Sequence, residues 1–497
     1  MQSTVPSNPE ATIILTIDIG TSSLRVLAFD SAAQRLRDIE GRRPVAVHSD
    51  ASGAAEVDAA RIVVDVAACI DDVIAQLGAR AHDIIAVGIA AMATTMVGID
   101  ADGHPVGPMR TYADTRSDAA AQFLRRAHAE GDVHRRTGCM IRPNYWPARF
   151  RWLQTEHPDE WHRATRWVSI GAYLAHALTG SAHITHSDAS WTGLFDRETL
   201  QWDGLWLEQF GVSAGNLAVL RDVDSPLDSL VPHWAQRWPM LAGVPWYGAI
   251  GDGAAANVGS GCVDEQFLAL TVGTTGALRI ALPGTPIPPA GLWCYRIDRQ
   301  TALVGGATSE GGNVYQWVRD TLRFEGDDVA IQTRLAAYAP DAHGLTILPL
   351  FAGERSPGWA GDAKATIHGL HLGTSPFDIL RASLESIALR FGQIATVLPT
   401  TGRVIASGGA LEHSSVWMQI CADVLGRPVY ASGVDEATAR GVALLALRST
   451  GVITSLGSLP TTATAVYQPD GAAHETYRRA AVRQAALYKK LIGEPLA

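Results

Sequence analysis

The chain has 497 residues, more than one hydrophobic core usually serves, so two domains of roughly 200–250 residues are expected. A hydrophobic share of 47% and a charged share of 18% are those of an ordinary globular protein. The net charge of −10 argues against a nucleic-acid backbone or an anionic membrane as partner, so a phosphate site has to be local.

Residues 1–11, which include MQSTVPSNPE, lack a basic and an apolar region and are expected to be a flexible tail rather than a signal peptide. No apolar run approaches the roughly 20 residues that span a bilayer. Cys69, Cys139, Cys262, Cys294 and Cys421 show neither a CxxC pair nor metal-ligand spacing, which suits structural thiols in a reducing cytosol.

Residues 12–30 read as a β-hairpin. Its core strand, Ile13 to Ile17, is too short and too β-branched for a helix, and the turn through Asp18, Gly20, Thr21, Ser22 and Ser23 offers backbone N–H groups and hydroxyls to an anion. A plain turn explains such a hexapeptide equally well until its echo is counted. IDIGTSSLRV at 17–26 and TVGTTGALRI at 271–280 look like two copies of one phosphate-sized hairpin, each carrying an arginine on its second strand. Facing each other, they would clamp a polyphosphate.

Helical spacing covers 61–80, and the continuous apolar run at 84–92 reads as a strand buried on both faces. The small residues that follow, Met92, Ala93 and Thr94, either floor a cleft or belong to packed core. Arg110, Asp114 and Arg116 form a charged cluster that a surface salt bridge would explain. Residues 137–153 read as an aromatic and arginine-rich loop able to line a polar pocket, with Trp146 and Trp152 as possible packing residues. A helix ending at Gly180 follows, and 184–196 reads as loop.

The domain boundary is expected near 247, giving domains at 12–247 and 248–497. Asp252 then stands between two glycines, at a strand end that opens a small-residue helix. A turn aspartate is the common account of that pattern; a carboxylate aimed into a cleft, where a hydroxyl's general base belongs, is the functional one. Beyond the second hairpin come a glycine-rich turn opening a helix with Gln316, a strand and loop carrying Glu354 and Arg355, and a long helix begun by Ser375-Pro376 with one apolar stripe. The strand at 404 runs into Gly408-Gly409, where a flat ring or phosphate can approach the backbone closely.

With both hairpins, Asp252 and the double glycine in order, the chain resembles the FGGY carbohydrate kinases over about residues 12–450. The segment 365–385, ATIHGLHLGTSPFDILRASLE, is similar to the family's C-terminal signature. The resemblance implies two actin-like, RNase-H-like α/β domains closing on a cleft, ATP as phosphoryl donor with Mg2+, and a small sugar as acceptor in the cytoplasm; dimers are common in the family. It implies that Asp18, Gly20, Thr21, Ser22, Ser23 and Arg25 hold phosphate, that Thr274 and Thr275 meet the γ-phosphate, and that Gly312, Gln316, Gly408 and Gly409 contact adenosine. Asp252 corresponds to the catalytic base, and Asp18 and Asp252 to the Mg2+ site. Within the family the TYADTRS, VGGATSEGGN and FAGERSPGW segments are similar to gluconokinase-type members. The sugar side departs from that type. Ala93-Thr94 stands where a Met-His pair is usual, Arg142-Pro143-Asn144-Tyr145 replaces His-Pro-Met-Ser, and Arg149 takes a lysine position. Met92, Ala93, Thr94, Arg142, Asn144, Tyr145 and Asp252 are therefore the expected sugar contacts. The expected reaction is phosphorylation of a sugar acid, gluconate to 6-phosphogluconate. The alternatives are a ketose or polyol such as xylulose, ribulose or erythritol, and a sugar-binding regulator that has lost catalysis. A sugar acid needs a cation, for which Arg142 or Arg116 is expected.

Overall fold

The computed structural model describes residues 12–399, 402–459 and 463–494; the expected tail at 1–11 lies outside the described residues. The first sheet holds β1 (Ile13–Ile19), β2 (Ser23–Phe29), β3 (Arg35–Pro44), β4 (Ile84–Ala91) and β5 (Trp246–Gly251), in the order β5-β4-β1-β2-β3. β1 pairs antiparallel with β2 and parallel with β4. All seven residues of β1 are buried, as befits a central strand covered on both faces. One cover is the Ala59–Leu77 helix, whose N-terminus is capped by Asp58 accepting from the Arg61 N–H.

The second sheet repeats this plan. β6 (Phe267–Val272), β7 (Gly276–Pro283), β8 (Trp293–Arg296), β9 (Thr301–Thr308), β10 (Arg403–Ser407), β11 (Val429–Ser432) and β12 (Ala463–Tyr467) run in the order β8-β9-β7-β6-β10-β11-β12. β6 is antiparallel to β7 and parallel to β10, as β1 is to β2 and β4. The two hairpins noticed in the sequence are thus the centres of two topologically matching sheets. The Pro376–Val397 helix covers the second, with a Ser375/Asp378 capping box and the expected stripe from Phe377 to Ile394 buried.

The expected boundary at 247 falls inside β5, which pairs parallel with β4 and so belongs to the first sheet. We therefore place the boundary between the Asp252–Gly259 helix and β6. Two further readings change. The stretch read as loop at 137–153 becomes helix from Trp146 to Glu156, begun by Pro147 in its first turn, with Trp146 wholly buried. The stretch read as loop at 184–196 contains a short strand and the His186–Ser190 helix, capped by Thr185.

At the junction of the two halves the Asp252–Gly259 and Ala437–Ser449 helices cross at backbone contact. A Cβ on Gly441 would lie 2.7 Å from the Ala255 carbonyl carbon and 2.9 Å from the Gly259 nitrogen, so only glycine fits. The second helix also packs on the first sheet. Val442 occupies the space that a side chain at Gly88 would need, and one apolar cluster joins Ile14, Phe29 and Ala90 to Ala255, Ala443 and Leu447.

Candidate active site

Asp18 sits near the end of β1, 3% exposed and opposite Arg25 in the hairpin register. Arg25 Nη2 donates to Asp18 Oδ2 at 2.6 Å, and Nη1 donates to Glu436 just before the Ala437–Ser449 helix. The expected phosphate cation is thus held by one carboxylate from each half. Burial pushes the Asp18 carboxyl up to about 6; Arg25 opposes that shift, while Asp252 and Glu436 add to it. At the tip, Gly20 N–H donates to the Ser23 carbonyl at 3.1 Å and Val45 N–H to the Ser22 carbonyl at 3.1 Å, which fixes the turn carrying Thr21.

The tip of the second hairpin, with Thr274 and Thr275, is tied to the Gly312–Thr321 helix. Gly312 N–H donates to the Gly273 carbonyl at 2.7 Å and Asn313 N–H to the Thr274 carbonyl at 3.2 Å. A Cβ on Gly312 would lie 2.9 Å from the Gly273 oxygen and 3.0 Å from Ala410 Cβ. Gly408, at φ +98°, presses its backbone onto Val272. Thr274, Thr275, Gly312, Gly408 and Gly409 therefore meet at one end of β6 and β10. An open cavity of about 910 Å3 begins here, lined by Gly312, Gln316, Gly409, Gln332, His413 and Ser414. Its size suits a small organic ligand. Gln316 donates to Asp320 at 2.9 Å, and Ser414 caps the Ser415–Leu425 helix while donating to Gln332 at 2.8 Å.

Asp252 opens the Asp252–Gly259 helix at the end of β5, half-buried, with Oδ1 accepting the Gly253 N–H at 2.7 Å. Burial raises its pKa; the Gly253 amide, Arg279, Arg355 and the Ala93 amide hold that rise back. Arg279, the echo of Arg25, donates from Nη2 to Thr271 Oγ1 at 2.7 Å. It passes over the residue after Asp252, where a Cβ on Gly253 would lie 2.8 Å from Arg279 Nη1, and its charge acts on Asp252 without an ion pair. Each hairpin arginine thus lies in the field of one aspartate, Arg25 bonded to Asp18 and Arg279 acting on Asp252 without a bond.

The sugar-side residues assemble around these carboxylates. Met92 N–H donates to the Ile19 carbonyl at 2.8 Å, which sets Met92, Ala93 and Thr94 beside the end of β1. Thr94 is buried at φ +57°, a strained backbone for a β-branched residue, and Arg149 grips its carbonyl. The Trp191 ring lies over Gly251 and Gly253, beside Asp252, and stacks on Tyr295 at 3.8 Å. The Tyr295 hydroxyl in turn bonds that of Tyr145, which is buried, while Asn144 is half-buried. The Thr94 hydroxyl and the Trp191 indole N–H are buried without a hydrogen-bond partner among the described residues. Buried polar atoms usually find a partner, so these two could bond a polar ligand.

The two arginines expected to receive a carboxylate are occupied. Arg142 donates to Glu130 and lies over the Trp359 ring at 5.2 Å; Arg116 is shared by Asp114 and Glu56. Trp191, Tyr295, Arg279 and Arg355 were not among the expected contacts. The hairpin repeat pointed at Arg279; nothing local distinguished Trp191, placed in a stretch read as loop.

Residues 13–259 match the N-terminal domain of the FGGY family of carbohydrate kinases, and residues 268–450 match its C-terminal domain. The chain belongs to the FGGY family. It is a carbohydrate kinase, a phosphotransferase with an alcohol acceptor, built on the two-domain α/β fold of that family. The kinase is 27% identical to a gluconokinase of Bacillus subtilis over 384 residues, 73% of this chain and 74% of that one. It is 33% identical to a glycerol kinase of Leptothrix cholodnii over 493 residues, 93% and 95% of the two chains. A xylulose kinase structure from Lactobacillus acidophilus shares the fold at a TM-score of 0.91 over 97% of this chain and 99% of that one, at 23% identity. No helix among the described residues is long and apolar enough to cross a membrane.

Proposed function

We propose that this kinase transfers the γ-phosphoryl group of ATP to a hydroxyl of a sugar acid, gluconate, giving 6-phosphogluconate. The observation that carries the phosphoryl transfer is Asp252, set between the two hairpins with its charge acting on Asp18. Burial makes its carboxylate a stronger base, and Arg279, Arg355 and two backbone amides keep it from being neutralised. Asp252 accepts the proton of the acceptor hydroxyl as that oxygen attacks in line. The Gly20 and Gly273 amides are bonded within their own turns, so the tips would meet the phosphates through Thr21, Ser22, Thr274 and Thr275, and the 910 Å3 cavity would take the nucleoside. Hinged closure of the halves would exclude water and limit ATP hydrolysis.

Two carboxylates in one another's field, Asp18 and Asp252, fit Mg2+, which favours one or two carboxylates together with phosphate oxygens and water. Bound there, Mg2+ would neutralise charge on the transferring phosphoryl group.

Gluconate is favoured by the gluconokinase-type segments and by the gluconokinase relative. A neutral polyol or ketose is the second reading, supported by the glycerol kinase relative and by the ion-paired state of Arg116 and Arg142. The five cysteines, all free and buried, accord with a cytoplasmic location. The test is a coupled ADP-release screen with Mg-ATP against aldonates, ketoses and polyols. Gluconate as the best acceptor supports the first reading; a ketose or polyol response with all aldonates silent overturns it.

A further inference from the structure

We propose that Arg355 determines acceptor specificity by binding the carboxylate of the sugar acid. The proposal rests on the sugar-acid reading above and names the cation which that reading requires.

The backbone around Arg355 is fixed on both sides. Glu354 is buried and takes bonds from Arg390, Tyr488 and the Ala360 N–H; Ser356 N–H donates to the Ala307 carbonyl at 3.0 Å. Trp359 N–H donates to the Arg355 carbonyl at 2.7 Å, and the Trp359 indole donates to the Gly291 carbonyl at 2.7 Å. The same Trp359 ring carries Arg142, so the loop from the second half abuts the aromatic segment of the first. On this rigid base the Arg355 guanidinium, half-buried, makes no hydrogen bond or ion pair with the described residues. A cation held by so constrained a backbone, with all its donors free, is preorganised for an anion.

Its surroundings choose which anion. Through Trp359 the Arg355 loop lies against Arg142 of the aromatic segment, and the Arg355 charge acts on Asp252, Tyr145 and Tyr295. Arg355 and Asp252 share an electrostatic field, and no hydrogen bond or ion pair joins them among the described residues. A straight-chain sugar acid has the chemistry for these groups: a terminal hydroxyl for Asp252, a carboxylate for Arg355, and further hydroxyls for the unpaired Thr94 hydroxyl and Trp191 N–H. The hairpin arginines are less available for this. Arg25 is held by Asp18 and Glu436, and Arg279 by Thr271 next to Asp252.

The test compares gluconate with glucitol, which has an uncharged CH2OH in place of the carboxylate, in wild type, Arg355→Gln and Arg355→Lys. Loss of one charge-assisted contact is expected to raise the KM for gluconate about thirtyfold in Arg355→Gln. Arg355→Lys should recover part of that loss, and the weak response to glucitol should move less than about threefold. ATP affinity, measured by calorimetry, reports that each variant is folded. If wild type phosphorylates gluconate and Arg355→Gln keeps its KM, or loses gluconate and glucitol equally, the assignment of Arg355 falls while the sugar-acid reading stands. If wild type accepts no aldonate, both fall.

Discussion

Gly441→Ala probes how the two halves set the position of Asp252. The added methyl carbon would lie 2.7 Å from the Ala255 carbonyl carbon and 2.9 Å from the Gly259 nitrogen, both backbone atoms that no rotamer change can move. Carbon contacts are comfortable from about 3.5 Å, so the crossing helices must part by about 1 Å. Alanine gains about 1 kcal/mol over glycine in helix propensity, but overpacking a rigid contact costs typically 1–3 kcal/mol and the parted helices lose dispersion along their length. A net loss of about 2 kcal/mol corresponds to a drop of about 4–8 °C in melting temperature for a domain of this size. Because Asp252 begins one of the two helices, a shift of about 1 Å is expected to lower kcat by up to about a hundredfold. Thermal denaturation and steady-state kinetics measure both effects. Gly243→Ala, at an exposed position with open space around its Cβ, is the control. Should Gly441→Ala melt with the control and keep kcat within twofold, the close crossing does not position the base.

Asp252→Asn is expected to lower kcat by about a hundredfold or more, the size of a lost general base, and near-full turnover would remove Asp252 from that role. Asp252 must be anionic to act and burial raises its pKa, so kcat/KM should fall on the acid side from a higher pH than an ordinary carboxylate would give. Arg279→Met removes a charge that opposes this rise, so the acid limb should move to higher pH; an unmoved limb would separate Arg279 from Asp252. Asp188 is pushed up to about 7, chiefly by burial, although Ser169 donates to it at 2.6 Å. The folded chain then keeps a proton that the unfolded chain releases near pH 4, so this group makes stability decline as pH rises from about 4 to about 7. Asp188→Asn should flatten that decline in melting temperatures taken across the range, and an unchanged slope would refute the burial cause.

Much of the architecture was legible locally. The apolar runs at 13–17 and 84–92, the Ser375 cap and the stripe after it follow from periodicity and capping, which depend on neighbours a few residues apart. The readings that changed depended on more distant partners. The segment after Tyr145 is helical although aromatics and arginines crowd it, because Trp146, Phe150 and Trp152 are buried against the first domain. Strand β5 looked like a boundary because its neighbour β4 lies more than 150 residues earlier in the chain.

By itself the sequence determined the paired hairpins, the glycine-flanked Asp252, the double glycine and, through them, a two-domain carbohydrate kinase, since each is a short contiguous pattern imposed by backbone chemistry. Only the tertiary structure decided which cations remain free. Arg116 and Arg142 are neutralised by Glu56, Asp114 and Glu130, whereas Arg355, on a clamped loop, has no hydrogen-bond or ion-pair partner among the described residues. It also decided that Trp191 roofs Asp252 and that Gly441 lets two helices touch. An arginine looks the same in any sequence; whether its charge is already spent depends on what folding brings beside it.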